Sequence, residues 1–354
     1  MKLATIQRIT KLEPIPNAES IEKACVLGWE VVVKKGQFKE GDMCIYVQID
    51  TVMPDKPEFA FLSERKFRVR TIKLRGQISQ GLIIPLPDKG VFFEGEDVTN
   101  FIGVKKYEKP DTDPSVYLSE KTPHGFFERA LYKFKFLYLY KWFPFMRKKL
   151  RSPFPSKIVP ITDEERIQNI PHYLEKYKGL EFIVSYKLDG SSITIIHHKF
   201  LGRSSYRICS RRFELHDSSN DWYKVFKKTS FDKEIQKLVS YFNTNNIVVQ
   251  GEAIGKFNGN HHNLSSNEIR LFNIFVEGDK LYQDKFIEVC EKLNIPHCPL
   301  YKKITLNHTM KEIIEESNLK DILNPKAYSE GLVWRRENIS FKVVNPNYLL
   351  KKEE

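Results

Sequence analysis

The sequence predicts two folded parts: an all-β barrel over residues 1–103 and an α+β domain over residues 157–354, joined by a basic aromatic linker over 104–156. Three observations lead there. The first hundred residues hold five short apolar runs separated by turn residues, the pattern of a small closed barrel. The second half mixes alternating runs with longer helical ones, an α+β layout with antiparallel hairpins. The stretch between them changes composition abruptly. A chain of 354 residues has room for two cores of ordinary size.

The barrel strands are LATIQRI, WEVVVK, MCIYVQI, FRVRTIKL and GLIIPL, with Gly-Asp and Lys-Gly pairs among the connections. Five strands in this length favour an OB-fold, with an SH3-like barrel as the alternative. In RKFRVRTIKLRGQ, Lys66, Arg68 and Arg70 alternate with Phe67 and Val69, so one strand face is basic and the other apolar. Lys73 and Arg75 alternate with Ile72 and Leu74 in the opposite phase, which predicts a bulge near Thr71. Cations on such a face can follow the phosphates of a nucleic-acid strand. Arg68, Arg70, Lys73 and Arg75 are therefore candidate contacts, and a solvated strand face is the plain alternative.

The linker contains RALYKFKFLYLYKWFPFMRKKLR, Arg129 to Arg151, with eight basic side chains, eight aromatic ones and no acid. Its lysines and its length exclude a membrane span. An interfacial helix, a nucleic-acid clamp and a connector packed on both domains all fit, the connector being favoured.

The second half is organised around SYKLDGSS, where Lys187, Asp189, Gly190 and Ser191 stand between FIVS and ITII. An Asp-Gly pair between β-like runs predicts a hairpin, with Lys187 at its mouth. By itself the match is common by chance. Five further stretches follow in order: CSRRFEL with Arg211, VVQGEAIG with Glu252, RLFNIF with Phe272, SEGLVWR with Glu330, and ISFKVVN with Lys342. Ahead of them TDEERIQNIP has the pattern of a capped helix start. WYKVFKKTSFDKEIQKLVSYF is expected to be one helix, and DKFIEVCEKLN and MKEIIEESN two more.

These residue types suit phosphoryl chemistry. A lysine attacks phosphorus only as the neutral amine, so its ordinary pKa of about 10.4 must be lowered by nearby positive charge or desolvation. Lys342 and a divalent cation can both do this. Asp189, Glu252 and Glu330 offer oxygen ligands of the kind that hard Mg²⁺ or Mn²⁺ prefers. Lys342 and the arginines would neutralise the phosphate in its five-coordinate state. Gly251 before Glu252 and Gly331 after Glu330 permit close backbone approach.

Net charge of +12 favours a polyanionic partner, nucleic acid or an anionic membrane face. Five scattered cysteines without a C-x-x-C pair argue against a disulfide framework or a structural zinc site. No apolar signal region and no membrane-length run is present, so a soluble intracellular protein is expected. His261 and His262, in GKFNGNHHNL, are expected to be a solvated loop pair rather than metal ligands. Asn260 of that loop is a candidate contact for ribose or the incoming strand.

The ordered set from Lys187 to Lys342 resembles the covalent nucleotidyltransferase superfamily of ATP-dependent ligases and capping enzymes. The resemblance covers about Lys157 to Glu354 and implies an ATP-grasp-like α+β ligase core. It implies that Lys187 takes the nucleotide as a phosphoramidate, with Arg211 as motif Ia and Glu252 as motif III. It further implies that Phe272 stacks on the purine as motif IIIa, Glu330 with Val333 forms motif IV, and Lys342 is motif V. Twelve residues follow Lys342, too few for the OB domain that DNA ligases and capping enzymes carry there. A barrel ahead of the core instead resembles the fifth RNA ligase family, in which an upstream arginine, here Arg166, assists at the phosphate.

Two departures stand out. Ser340 replaces the first lysine of the usual Lys-x-Lys in motif V, and Tyr186 stands where some RNA ligases have a glutamate that contacts the purine edge. The implied activity is ATP-dependent joining of 3′-hydroxyl and 5′-phosphate RNA ends with Mg²⁺ or Mn²⁺, by a monomer, with RNA/DNA hybrid nicks among the possible substrates. Removal of the barrel is expected to spare self-adenylylation and impair joining. A capping-type guanylyltransferase and a nucleic-acid-binding protein with a decayed site are the alternatives.

Overall fold

The computed structural model describes residues 2–88, 90–107, 151–216 and 218–353; most of the basic aromatic stretch at 129–151 lies outside them. The strands are β1 (Ala4–Pro14), β2 (Ile21–Val26), β3 (Trp29–Lys34), β4 (Met43–Val47), β5 (Thr51–Val52), β6 (Arg68–Val69), β7 (Thr71–Leu74), β8 (Gln77–Gln80), β9 (Leu82–Pro85), β10 (Lys105–Lys106), β11 (Arg151–Pro153), β12 (Glu181–Lys187), β13 (Ser191–Phe200), β14 (Arg203–Cys209), β15 (Phe213–Leu215), β16 (Asn246–Ile254), β17 (Glu268–Val276), β18 (Asp279–Lys280), β19 (Leu300–Thr305), β20 (Gly331–Arg336) and β21 (Ile339–Val344). The helices are α1 (Thr99–Ile102), α2 (His172–Lys176), α3 (Asp221–Lys228), α4 (Phe231–Phe242), α5 (Gln283–Leu293), α6 (Met310–Glu316) and α7 (Pro346–Glu353).

Two compact units result. One comprises Met1–Lys109, Glu164–Leu188 and Pro299–Glu354, and the other Pro110–Asp163 and Asp189–Cys298. This grouping cuts the chain between Leu188 and Asp189, inside the stretch that the sequence treats as a single domain.

In the first unit a five-stranded sheet runs β3-β2-β1-β4-β9. A register shift between Ile9 and Lys11 lets β1 pair with β4 at its start and β2 at its end, as a bulge in a bent barrel strand does. Ile6, Ile45, Val47, Phe59 and Val69 fill one apolar cluster of the barrel. Trp29, Val31 and Tyr46 fill another, which Tyr348 and Leu349 of α7 complete.

The expected strand FRVRTIKL is broken. Lys66 and Phe67 are both left-handed, at φ 52° and 58°, where the chain leaves the 3₁₀ helix Pro57–Arg65. β6 then pairs with β5, and β7 pairs with β8. The break at Arg70 sends the two halves into separate sheets, so the expected bulge at Thr71 and the continuous basic face do not form.

A second sheet of this unit runs β19-β12-β20-β21, antiparallel throughout. Phe182, Val184, Leu332, Trp334, Phe341 and Val343 cover one of its faces with Ile167, Leu174 and Ile313. Strand alternation therefore turns Lys187, Ser185, Val333, Arg335 and Lys342 to the other face.

The second unit is a seven-stranded antiparallel sheet ordered β11-β15-β14-β13-β16-β17-β18. Helices α3, α4 and α5 cover one face, burying Phe226, Phe231, Ile235 and Phe286 against Ile193, Ile195, Val249 and Leu271. The long helix expected over 222–242 is two, because Ser230 takes a left-handed φ of 49° between α3 and α4. The Thr-Asp-Glu-Glu opening of TDEERIQNIP caps no α-helix; the stretch itself holds a 3₁₀ turn, Ile167–Asn169, and α2 begins just after it. No helix among the described residues is long and apolar enough to cross a membrane.

The Asp-Gly hairpin is also absent. β12 and β13 belong to different sheets, and Asp189-Gly190 is the crossing between them. Gly190 is required by crowding rather than by a left-handed turn: a Cβ there would lie 2.6 Å from Ala253 O and 2.7 Å from Glu252 Cγ.

Candidate active site

The sequence-predicted residues fall in both units, and each half has its own geometry. In the first, Lys187 ends β12 opposite Gly331, and Val333 lies between Ser185 and Lys342 in adjacent strands. Lys187 Nζ is 2.8 Å from Glu330 Oε2. Gly331, at φ 144°, has no room for a Cβ, which would collide with Val343 O. The turn that presents Glu330 thus lies directly on β21, as the glycine next to that carboxylate predicts.

The segment before α2 runs along the same sheet. The Lys342 N–H donates to Glu165 O at 2.8 Å, and Arg166 bridges Lys342 in parallel fashion. The Arg166 guanidinium lies 5.7 Å over the Trp29 ring and 3.4 Å from Asp50 Oδ2. Its Nη1 is buried with no partner among the described residues. Trp29 Nε1 donates to Asn169 Oδ1 at 2.7 Å. Arg166 is therefore held by barrel residues as well as by its own segment.

Arg335, only 7% exposed, donates to Glu164 Oε1 at 2.7 Å and to Ser185 Oγ at 3.0 Å. Burial pushes the Glu164 carboxyl up, but the Arg335 charge and hydrogen bond, with help from Lys187, outweigh it and hold Glu164 below the usual carboxylate range. Ser340 sits directly opposite Arg335. A lysine at that position would face a like charge across the strand pair, which accounts for the departure in motif V.

In the second half Ser192 pairs with Glu252 and Ser191 with Ala253, so the Asp189–Gly190 segment is pressed onto β16. The Asp189 N–H donates to His262 Nε2 at 3.1 Å, and His261 Nδ1 is 4.0 Å from Asp189 Oδ2. His262 is 1% exposed and His261 half-buried: in place of the expected solvated pair, His262 is a buried support for the nucleophile motif. Arg211 pairs with Asp163. Asn260 uses its side chain to close its own loop, bonding Leu264 O at 2.9 Å and Leu264 N–H at 2.8 Å.

Among the barrel candidates, Arg68 pairs with Asp50 at 2.5 Å and stacks 3.8 Å over Tyr107. Lys73 and Arg75 are exposed on the β7–β8 hairpin, and Arg70 is partly buried. No group of three or more His, Cys, Asp or Glu side chains gathers as a ready-made metal cage among the described residues.

A family model described as an OB-fold domain matches residues 3–86, and one described as RNA ligase matches residues 180–351. No curated protein matches the chain. Among solved structures, Naegleria gruberi RNA ligase with PPi is 30% identical, with a TM-score of 0.78 over 99% of this chain and 98% of that one. A lysine-to-alanine mutant of that ligase with ATP and Mn is 31% identical, with a TM-score of 0.79 over the whole of both chains. A glutamate-to-alanine mutant with AMP and Mn is 30% identical at the same TM-score and coverage. The chain belongs to the RNA ligase family.

This RNA ligase places an OB-fold before an α+β nucleotidyltransferase domain, which sets aside the SH3-like alternative. Sequence reasoning missed three supports of the RNA ligase's candidate site: His262, the Glu164–Arg335 pair and the barrel's grip on Arg166. Only the Glu164–Arg335 pair left a trace, as an acidic residue and a basic one beside two motifs. All three depend on contacts across more than 70 residues of chain.

Proposed function

We propose that this RNA ligase uses ATP to join 3′-hydroxyl and 5′-phosphate ends through a covalent Lys187–AMP. The observation that carries the reading is the Lys187–Glu330 pair on the sheet face that also bears Lys342. The solved relatives with ATP and Mn, AMP and Mn, or PPi support it.

Lys187 Nζ, as the neutral amine, attacks the α-phosphorus; an N–P bond forms, the P–O bond to the β-phosphate breaks, and pyrophosphate leaves. Arg166 and Lys342 neutralise the growing charge, with Arg211 as a further donor. The unpartnered Arg166 Nη1 suits a phosphate oxygen. Phe272 and Val333 hold the two purine faces, and Gly190 allows close approach at the nucleophile motif. A terminal 5′-phosphate oxygen then attacks the adenylate, breaking the N–P bond and freeing Lys187. Finally the 3′-hydroxyl attacks the activated end, forms the phosphodiester and expels AMP.

The donor set Asp189, Glu252 and Glu330 is all carboxylate oxygen, and a cation that keeps most of its waters needs few protein ligands, so Mg²⁺ or Mn²⁺ fits. Bound there, the ion would supply positive charge at the α-phosphate and favour the neutral amine. Residues 1–103 would serve the RNA through Arg68, Arg70, Lys73 and Arg75, with 104–156 as linker and 157–354 as the adenylylation domain, where Asn260 meets the strand. The substrate class includes nicks in RNA/DNA hybrids, and the working form is a monomer. The test is a gel of the protein incubated with α-labelled ATP and metal, followed by sealing of nicks that carry RNA or DNA on either side.

A further inference from the structure

Strand β17 breaks its alternation where the purine is expected. Ile269 and Leu271, then Ile274, face the helices in the apolar core, and the β16–β17 register passes from Gln250 opposite Asn273 to Gly251 opposite Leu271. Phe272 is the extra residue of a bulge. Bulges turn consecutive side chains toward one face and recur beside functional sites. Both Phe272 and Asn273 consequently leave the helix-covered face for the one that carries Gln250 and Glu252.

Asn273 is 5% exposed and Gln250 fully buried. Gln250 Nε2 donates to Pro160 O at 2.8 Å, and Gln250 Oε1 accepts from Asn273 Nδ2 at 2.9 Å. A backbone carbonyl only accepts, so it fixes the Gln250 amide, which in turn fixes the Asn273 amide. The chain of amides ends on Asn273 Oδ1, a buried acceptor with no partner among the described residues. Buried amide oxygens are rarely left unbonded, and such an atom next to a site points to a missing donor.

We propose that Asn273 Oδ1 accepts a hydrogen bond from the exocyclic 6-amino group of adenine while Phe272 stacks on the ring. This rests on the ATP reading given above and adds how the base is chosen. Guanine would present its O6 acceptor to an acceptor whose orientation Gln250 and Pro160 lock. Tyr186, the residue before the nucleophile, lies on the opposite strand face from Lys187 and packs edge-on against Tyr301 at 5.7 Å, so the purine-edge role falls to another residue.

The test measures kcat/KM for lysyl-nucleotide formation with ATP, with GTP and with purine riboside triphosphate, which has hydrogen in place of the 6-amino group. The wild-type protein should favour ATP over the purine analogue by about tenfold to a hundredfold. Asn273→Leu should bring that ratio near one by lowering only the ATP value, whereas a merely structural loss would lower both nucleotides alike. Should Asn273→Leu melt early, Gln250→Met supplies the second arm: it frees the Asn273 amide to turn its Nδ2 outward and should raise GTP use relative to ATP by about tenfold. An unchanged ratio in Asn273→Leu, or a wild-type protein that takes ATP and the analogue equally because a water satisfies Oδ1, overturns the proposal. A wild-type protein labelled by none of the three nucleotides would instead overturn the ATP reading on which it rests.

Discussion

Glu164 accepts a 2.7 Å hydrogen bond from Arg335 Nη2, tying the segment ahead of Arg166 to the strand that follows Glu330. The pair anchors the backbone that Lys342 bonds through Glu165 O. Removing one member of a buried ion pair leaves the other charge uncompensated, a cost of about 3–5 kcal/mol, whereas replacing both by apolar side chains costs far less. Arg335→Met should therefore unfold at markedly lower urea concentration than Glu164→Leu combined with Arg335→Met.

The same pair sets a pH dependence. The folded Glu164 carboxyl titrates below its ordinary value of 4.5, so it binds fewer protons folded than unfolded just below that pH. Its contribution is complete above about 4.5 and declines as pH falls through the folded value. Urea melts of Glu164→Gln should lose less stability than wild type between pH 5 and acid; parallel curves for the two proteins would contradict this.

The glycines next to the carboxylates should not tolerate a methyl group. At Gly331 the left-handed φ and the Val343 carbonyl both oppose alanine. At Gly190 only crowding by Ala253 O and Glu252 opposes it. Both alanine variants should lose about 2 kcal/mol or more of stability, or keep their fold by shifting Glu330 or Asp189 and lose lysyl-nucleotide formation. Calorimetry and the labelling gel together distinguish these results, and a fully stable, fully active Gly331→Ala would refute the crowding.

The strands flanking these glycines were legible because each is a short run rich in β-branched and aromatic side chains: FIVSYK, NIVVQGEAI, GLVWR and ISFKVV all form where expected. What local pattern could not supply was which strands share a sheet. Asp189-Gly190 has the composition of a tight hairpin, yet tertiary crowding at Ala253 O uses the same small residue for a crossing. Similarly, the 222–242 stretch has helical periodicity throughout, and only the left-handed Ser230 divides it. β19 and α7 carry weak signals of their own; β12 and the barrel cluster around Trp29 give them their place. Of the candidate site, the chemical groups were legible and their supports were not.

His262 should act through Asp189. His262→Ala removes a buried acceptor and leaves the Asp189 N–H unbonded, a loss of about 1–3 kcal/mol. Lysyl-nucleotide formation should fall about tenfold or more, mainly in kcat, and His262→Gln, which restores an acceptor, should recover part of it. Equal activity in the alanine variant would show that the Asp189 turn holds itself.

The barrel should matter before any RNA arrives. Asp50 and Trp29 hold the Arg166 guanidinium, which gives the barrel a role in self-adenylylation beside the expected one in joining. Asp50→Ala should slow self-adenylylation about tenfold while sealing of an already adenylylated strand is less affected. A variant slowed only in the joining step would restore the original expectation.

The most direct measurement is mass analysis of the protein after incubation with ATP and a divalent metal, with the modified peptide sequenced. An added adenylate on Lys187, absent from Lys187→Ala and transferable to a 5′-phosphorylated strand, is the predicted result. An adenylate found on another side chain, or strand sealing that persists in Lys187→Ala, would contradict the account.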